Sequence, residues 1–68
     1  MYIRIVAERY NVLFECDRAV EDTNKLTFFN GDDIHTELLY DDNEFINVYA
    51  MNNNGKTIQH WGIYPEGK

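Results

Sequence analysis

The chain has 68 residues, with 12 acidic against 6 basic side chains and a formal net charge of −6 at pH 7. A chain this short makes one domain, here residues 1–68, and buries only about 60% of its unfolded surface, so each large side chain matters to the core. The acid excess argues against direct binding of nucleic acid, whose phosphates need Lys and Arg, and against docking on an anionic membrane.

Ten aromatic residues (five Tyr, four Phe, one Trp) offer large areas for burial. The single cysteine, Cys16, has no partner for an intrachain disulfide, which fits a reducing compartment and a small buried side chain. The first residues, MYIRIVAERY, carry Arg4, Glu8 and Arg9 early and lack the apolar stretch of a secretory signal. No run is long enough to span a membrane as a helix. A soluble, cytoplasmic protein is expected.

In chain order, Tyr2 to Ala7 (YIRIVA) and Asn11 to Cys16 (NVLFEC) are rich in β-branched and aromatic types and predict strands, with a turn near Arg9 and Tyr10. A helix from about residue 8 to 22 packed on a sheet, giving an α+β fold, is the alternative, because Val12, Leu13, Cys16, Ala19 and Val20 also recur at helical spacing. Asp17 to Lys25 (DRAVEDTNK) reads as an acidic loop, or as the widening of a hairpin with Glu21-Asp22-Thr23-Asn24 at its tip. Leu26 to Phe29 is a short strand, and Asn30-Gly31-Asp32-Asp33 a turn. Ile34 to Tyr40 is the next strand, followed by a turn at Asp41-Asp42-Asn43-Glu44 that sets Tyr40 opposite Phe45, Leu38 opposite Asn47 and Leu39 opposite Ile46.

The stretch from Phe45 to Tyr64 predicts the hairpin that organises the chain. Asn54-Gly55 suits a two-residue type I′ turn, while a longer Asn-rich tip with a bulge would shift the register and exchange some faces. That turn pairs Met51 with Ile58, Ala50 with Gln59, Tyr49 with His60, Val48 with Trp61, Asn47 with Gly62 and Ile46 with Ile63. Pro65 should end the last strand, because it cannot donate to a ladder, and Glu66 to Lys68 should form a frayed tail. The expected fold class is all-β: a small antiparallel meander of five to six strands, as a curled sheet or an SH3-like barrel.

Joining these strands gives two faces. Ile34, Leu38, Tyr40, Phe45, Tyr49, Met51, Ile58 and Tyr64 make the expected core. Leu39, Ile46, Val48 and Trp61, with Ile63, make a second apolar patch left for the first 20 residues or for a partner. A meander also gathers Asp17, Glu21, Asp22, Asp41, Asp42 and Glu44 at one end, against Arg18.

No catalytic, cofactor or metal motif emerges. Gly55-Lys56-Thr57 resembles the end of a phosphate loop, but Ala50 stands where the first Gly is needed and a strand follows instead of a helix. His35, His60 and Cys16 lack zinc-ligand spacing, and the acidic turn lacks the spaced ligands of a calcium loop. The expectation is a non-enzymatic binding protein. Its acidic end and the Leu39, Ile46, Val48 and Trp61 patch would engage a partner protein with a basic surface. In size and charge, though in no motif, the chain resembles the tiny acidic proteins carried by phages and mobile elements. Anti-CRISPR and other anti-defence proteins of that class cover nucleic-acid-binding surfaces. The alternative is a structural module that forms a homodimer through the apolar patch.

Overall fold

The computed structural model describes residues 1–9, 11–40 and 44–64. Seven strands follow one another: β1 Tyr2–Ala7, β2 Asn11–Glu15, β3 Arg18–Glu21, β4 Lys25–Asn30, β5 Asp33–Leu39, β6 Ile46–Met51 and β7 Thr57–Ile63. The protein is all-β and antiparallel, in two sheets of order β2-β1-β6-β7 and β3-β4-β5. No helix occurs among the described residues, so the alternative over residues 8–22 gives way to β2 and β3. The expectations for Asp41, Asp42, Pro65 and the tail lie outside the described residues.

The single meander is corrected by two features. First, β5 and β6 do not pair, so Tyr40–Phe45, Leu38–Asn47 and Leu39–Ile46 are not neighbours across a ladder; these strands belong to different sheets. Second, the acidic segment after Cys16 contains β3, which lies antiparallel to β4 with Arg18 opposite Phe29 and Glu21 opposite Leu26. The chain leaves one sheet and enters the other within two residues. Cys16 N–H donates to the Met1 carbonyl at 2.9 Å, extending the β1–β2 ladder, and Asp17 N–H donates to the Phe29 carbonyl at 2.8 Å, extending β3–β4.

The insertion of β1 beside β6 decides which face is inside. Ile3, Ile5 and Ala7 pair with Ala50, Val48 and Ile46, while Arg4 pairs with Tyr49 and Val6 with Asn47. Alternation then places the two isoleucines on the Val48 face and Arg4 on the Tyr49 face. Burying the Tyr49 face would strip water from a guanidinium, which costs far more than exposing a tyrosine. The core therefore forms from Ile3, Ile5, Ile46, Val48, Ala50 and Trp61 of the larger sheet, against Leu26, Phe28 and Leu38 of the smaller, with Cys16 at the crossover. Of the eight residues expected inside, only Leu38 is buried. Phe45, Ile58, Tyr64 and Ile34 are each more than half exposed.

Phe14 of β2 closes the seam between the layers. Its ring meets Phe28 edge-on, with centroids 5.2 Å apart, and stacks on His35 at 4.8 Å. The β4–β5 register steps from Phe28–Thr36 to Phe29–Ile34, so His35 is the unpaired residue of a bulge. Bulges re-aim a side chain, and this one brings an imidazole onto Phe14.

Candidate interaction surface

The outer face of the four-stranded sheet forms three cross-strand rows. They are Glu15–Tyr2–Met51–Thr57, Leu13–Arg4–Tyr49–His60 and Asn11–Val6–Asn47–Gly62. Phe45 and Tyr64 continue the face beyond the last row. No second layer covers it among the described residues.

The aromatic part of this face is held in place. Tyr49 and His60 are opposite each other and stack with ring centroids 4.7 Å apart and planes within 9°. His60 Nε2 lies 2.9 Å from Asn47 Oδ1, a hydrogen bond when that nitrogen carries the proton, and Tyr64 Oη donates to the same oxygen at 3.4 Å. Tyr64 folds over Gly62 so closely that a Cβ there would fall 2.6 Å from the hydroxyl and 2.8 Å from the ring. Glycine is thus what lets the tyrosine lie flat on the strand. Phe45 packs against Tyr64 at 5.6 Å between centroids. A side chain already fixed in one rotamer loses less entropy when a partner covers it.

The hairpin tip shapes the other end of the face. It is a three-residue loop, Asn53-Asn54-Gly55. Asn52 N–H donates to the Lys56 carbonyl at 2.9 Å, and Gly55 N–H donates to the Asn52 carbonyl at 3.0 Å. Asn52 Oδ1 accepts from Asn54 N–H at 2.9 Å and from Lys56 N–H at 3.0 Å. Gly55 has φ +82°, and among the described residues only Gly31 shares a positive φ. That rules out the expected type I′ turn, which needs positive φ at Asn54 as well. The expected register nevertheless holds from Ala50–Gln59 to Ile46–Ile63, because a bulge at Ile58 absorbs the extra loop residue. Only Met51 changes partner, to Thr57. The tip reaches back across β1, and a concavity of about 360 Å³ opens between Tyr2, Arg4, Leu13, Met51, Asn52, Asn53 and Gly55.

The residues expected to bind a partner are dispersed. Ile46, Val48 and Trp61 are core residues at 2%, 0% and 9% exposure, so the patch they were to form is closed by the second sheet; Leu39, at 67%, is open on the smaller sheet. The acidic end is also divided. β3 carries Asp17 to the far end of the sheet from Asp22, roughly 16 Å along an extended strand. Asp17 Oδ2 there accepts the Gly31 N–H at 2.6 Å and ties the crossover to the β4–β5 turn. Asp22 accepts its neighbour Thr23 N–H at 2.8 Å. Glu21 is exposed and Glu44 half-buried. Tyr40 N–H donates to the Asn24 carbonyl at 3.0 Å beside this acidic corner, and burial, followed by the charges of Glu21 and Asp22, pushes its phenol above its ordinary pKa.

Cys16 is 1% exposed, and burial pushes its thiol upward, away from the reactive thiolate; its sulfur lies 3.7 Å from the Arg18 carbonyl. His35 and His60 occupy different sheets, and no group of three or more potential metal ligands forms among the described residues. No helix there is long and apolar enough to cross a membrane. The outer aromatic face could have been found by asking which face β1 can join without burying Arg4. Comparison with known proteins finds no matching family model, no matching curated protein and no matching solved structure.

Proposed function

We propose that this chain is a non-enzymatic binding protein that occludes a basic, nucleic-acid-holding surface of a partner protein. The observation that carries the reading is the uncovered outer face of the four-stranded sheet, with Tyr49, His60, Asn47 and Tyr64 locked together by stacking and hydrogen bonds. Tyr, Met and Arg are enriched at the centres of protein interfaces, and pre-ordered aromatic side chains act as anchors there. Charge selects the partner: a chain of net charge −6 is drawn to a basic surface and repelled by an acidic one. Glu21 and Asp22, together with Asp41, Asp42 and Glu44, would stand in for phosphates, with the aromatic face as the apolar anchor. A cytoplasmic inhibitor carried by a phage or mobile element, acting in the anti-CRISPR or anti-defence manner, is the setting that size and charge suggest.

The test captures partners from a host lysate and identifies them by mass spectrometry, then measures binding of the best candidate with variants. The expected partner handles nucleic acid and binds less tightly as salt rises. Tyr49→Ala should weaken binding at least about tenfold. Glu21→Lys with Asp22→Lys should weaken it too, chiefly at low salt. A candidate list without nucleic-acid-handling proteins, or full binding after charge reversal, overturns the reading.

One observation favours self-association as the second reading. β7, TIQHWGI, is an edge strand with no charged side chain, whereas the other edges carry Glu15 in β2, Arg18 and Glu21 in β3, and Asp33 and Glu37 in β5. Two copies of an acidic protein meet most easily where neither brings charge, and an unpaired strand edge is a template for another. Light scattering would then give a dimer insensitive to salt, and Ile58→Lys would give a monomer.

A further inference from the structure

We propose that the concavity beside the hairpin tip binds a small monocarboxylic acid with an apolar aryl or alkyl body. This goes beyond the protein-binding reading and does not depend on it. The site is built from three elements: Tyr2 and Arg4 of β1, Leu13 of β2 and Met51 of β6, rimmed by Asn52, Asn53 and Gly55. At about 360 Å³ it falls at the small end of ligand pockets, and its mix of aromatic and aliphatic walls with one cationic group is the usual composition of such a site.

Arg4 sets the ligand class. It is half-buried, and its one side-chain hydrogen bond among the described residues runs from Nη1 to Asn11 Oδ1 at 3.1 Å. Guanidinium carries five N–H donors, so most of its capacity is unspent. In a chain with twice as many acidic as basic residues, Arg4 has no carboxylate within 4.0 Å among the described residues, where the ion pair is Lys25–Glu37. A planar fork of this kind matches the two oxygens of a carboxylate. The number of ligand charges is limited to one. Glu15 lies on the same face, opposite Tyr2, and the whole molecule is acidic, so a phosphate or dicarboxylate meets more repulsion than a single cation offsets. Tyr2, Leu13 and Met51 then reward an apolar body over a hydrated one.

The test follows backbone amide resonances of the ¹⁵N-labelled protein during titration with 2-naphthoate, with 2-naphthamide as the neutral match. Saturable shifts at Asn53, Gly55 and Arg4, produced by the acid and at least about tenfold weaker with the amide, are the expected result. Arg4→Gln should weaken naphthoate binding by about the same factor, and Arg4→Lys should recover only part of it. Leu13→Asp, which sets a carboxylate opposite Arg4 across the β1–β2 ladder to occupy its free donors, should also abolish the shifts; spectral dispersion confirms that each variant is folded. Equal response to acid and amide, no saturable shift, or undiminished binding by Arg4→Gln overturns the proposal. A response only to a peptide with a free apolar C-terminus would also overturn it. These outcomes leave the partner-capture experiment unaffected, so the two readings can fail separately.

Discussion

Two side chains fix the hairpin tip, and each can be removed singly. Asn52 supplies the oxygen for two turn amides, and Asn52→Ala leaves both to water, an expected loss of about 1 kcal/mol in urea unfolding. Gly55 holds φ +82° with open space around it, so Gly55→Ala meets no clash and the backbone strain alone sets its cost, about 1 kcal/mol. The tip was half legible in the sequence. Asn-Gly announces a turn, but the side chain of Asn52 selects the longer loop, and that competition between local hydrogen bonds leaves no separate mark in the residue pattern.

Cys16 gives a second test at this scale. Its raised pKa means that the folded state holds the thiol proton longer than the unfolded chain does. Stability is then complete below pH 9.0, the ordinary thiol value, and falls as pH climbs through the folded-state pKa. The Tyr40 phenol, raised from 10.0, acts in the same direction slightly higher. Denaturant midpoints are expected to drop above pH 9, and Cys16→Ala should flatten the first part of that drop. A thiol reagent should label Cys16 at neutral pH only as fast as the fold opens, and immediate labelling would contradict its burial.

At the scale of strands, most of the chain was readable. YIRIVA, NVLFE and INVYAM carry enough β-branched and aromatic residues to declare themselves. RAVE did not, because β3 is a four-residue edge strand whose side chains are mostly exposed and half of them charged. Its strand character comes from pairing with LTFF of β4, a tertiary cause. Missing β3 displaced Asp17, and with it the expected acidic cluster. The outer face carries the functional test for this scale. Gly62→Ala would force Tyr64 off its seat, since a Cβ cannot share that space with the ring. The fold is expected to survive, because the ring can swing into solvent. Partner binding should weaken in the same direction as Tyr64→Ala, with far-ultraviolet circular dichroism unchanged. Retained binding by both variants would remove Tyr64 from the interface.

For the whole molecule, the decision that matters is which side of the β6–β7 hairpin turns inward, and the hairpin by itself does not make it. Both of its faces are apolar enough to be core. β1 breaks the tie by bringing Ile3 and Ile5 to one side and Arg4 to the other. Because β1 starts 44 residues before β6, no local pattern in the hairpin could reveal the outcome. The same asymmetry predicts how the layer between the two sheets and the open outer face of the larger sheet respond to truncation. Phe28 is fully buried between the sheets and meets Phe14 edge-on, so Phe28→Ala should cost about 3–5 kcal/mol. A single core in a domain of this size rarely supplies more than about 3–5 kcal/mol in total, so that variant is expected to be largely unfolded at 25 °C. Tyr49→Ala, of similar size but on the outer face, loses only its stacking on His60 and should cost about 1 kcal/mol or less. Urea melts of the two variants separate the assignments directly. If Tyr49→Ala unfolds the protein while Phe28→Ala leaves it folded, the inside and outside of the larger sheet are reversed, and the aromatic face is core and not a surface for a partner.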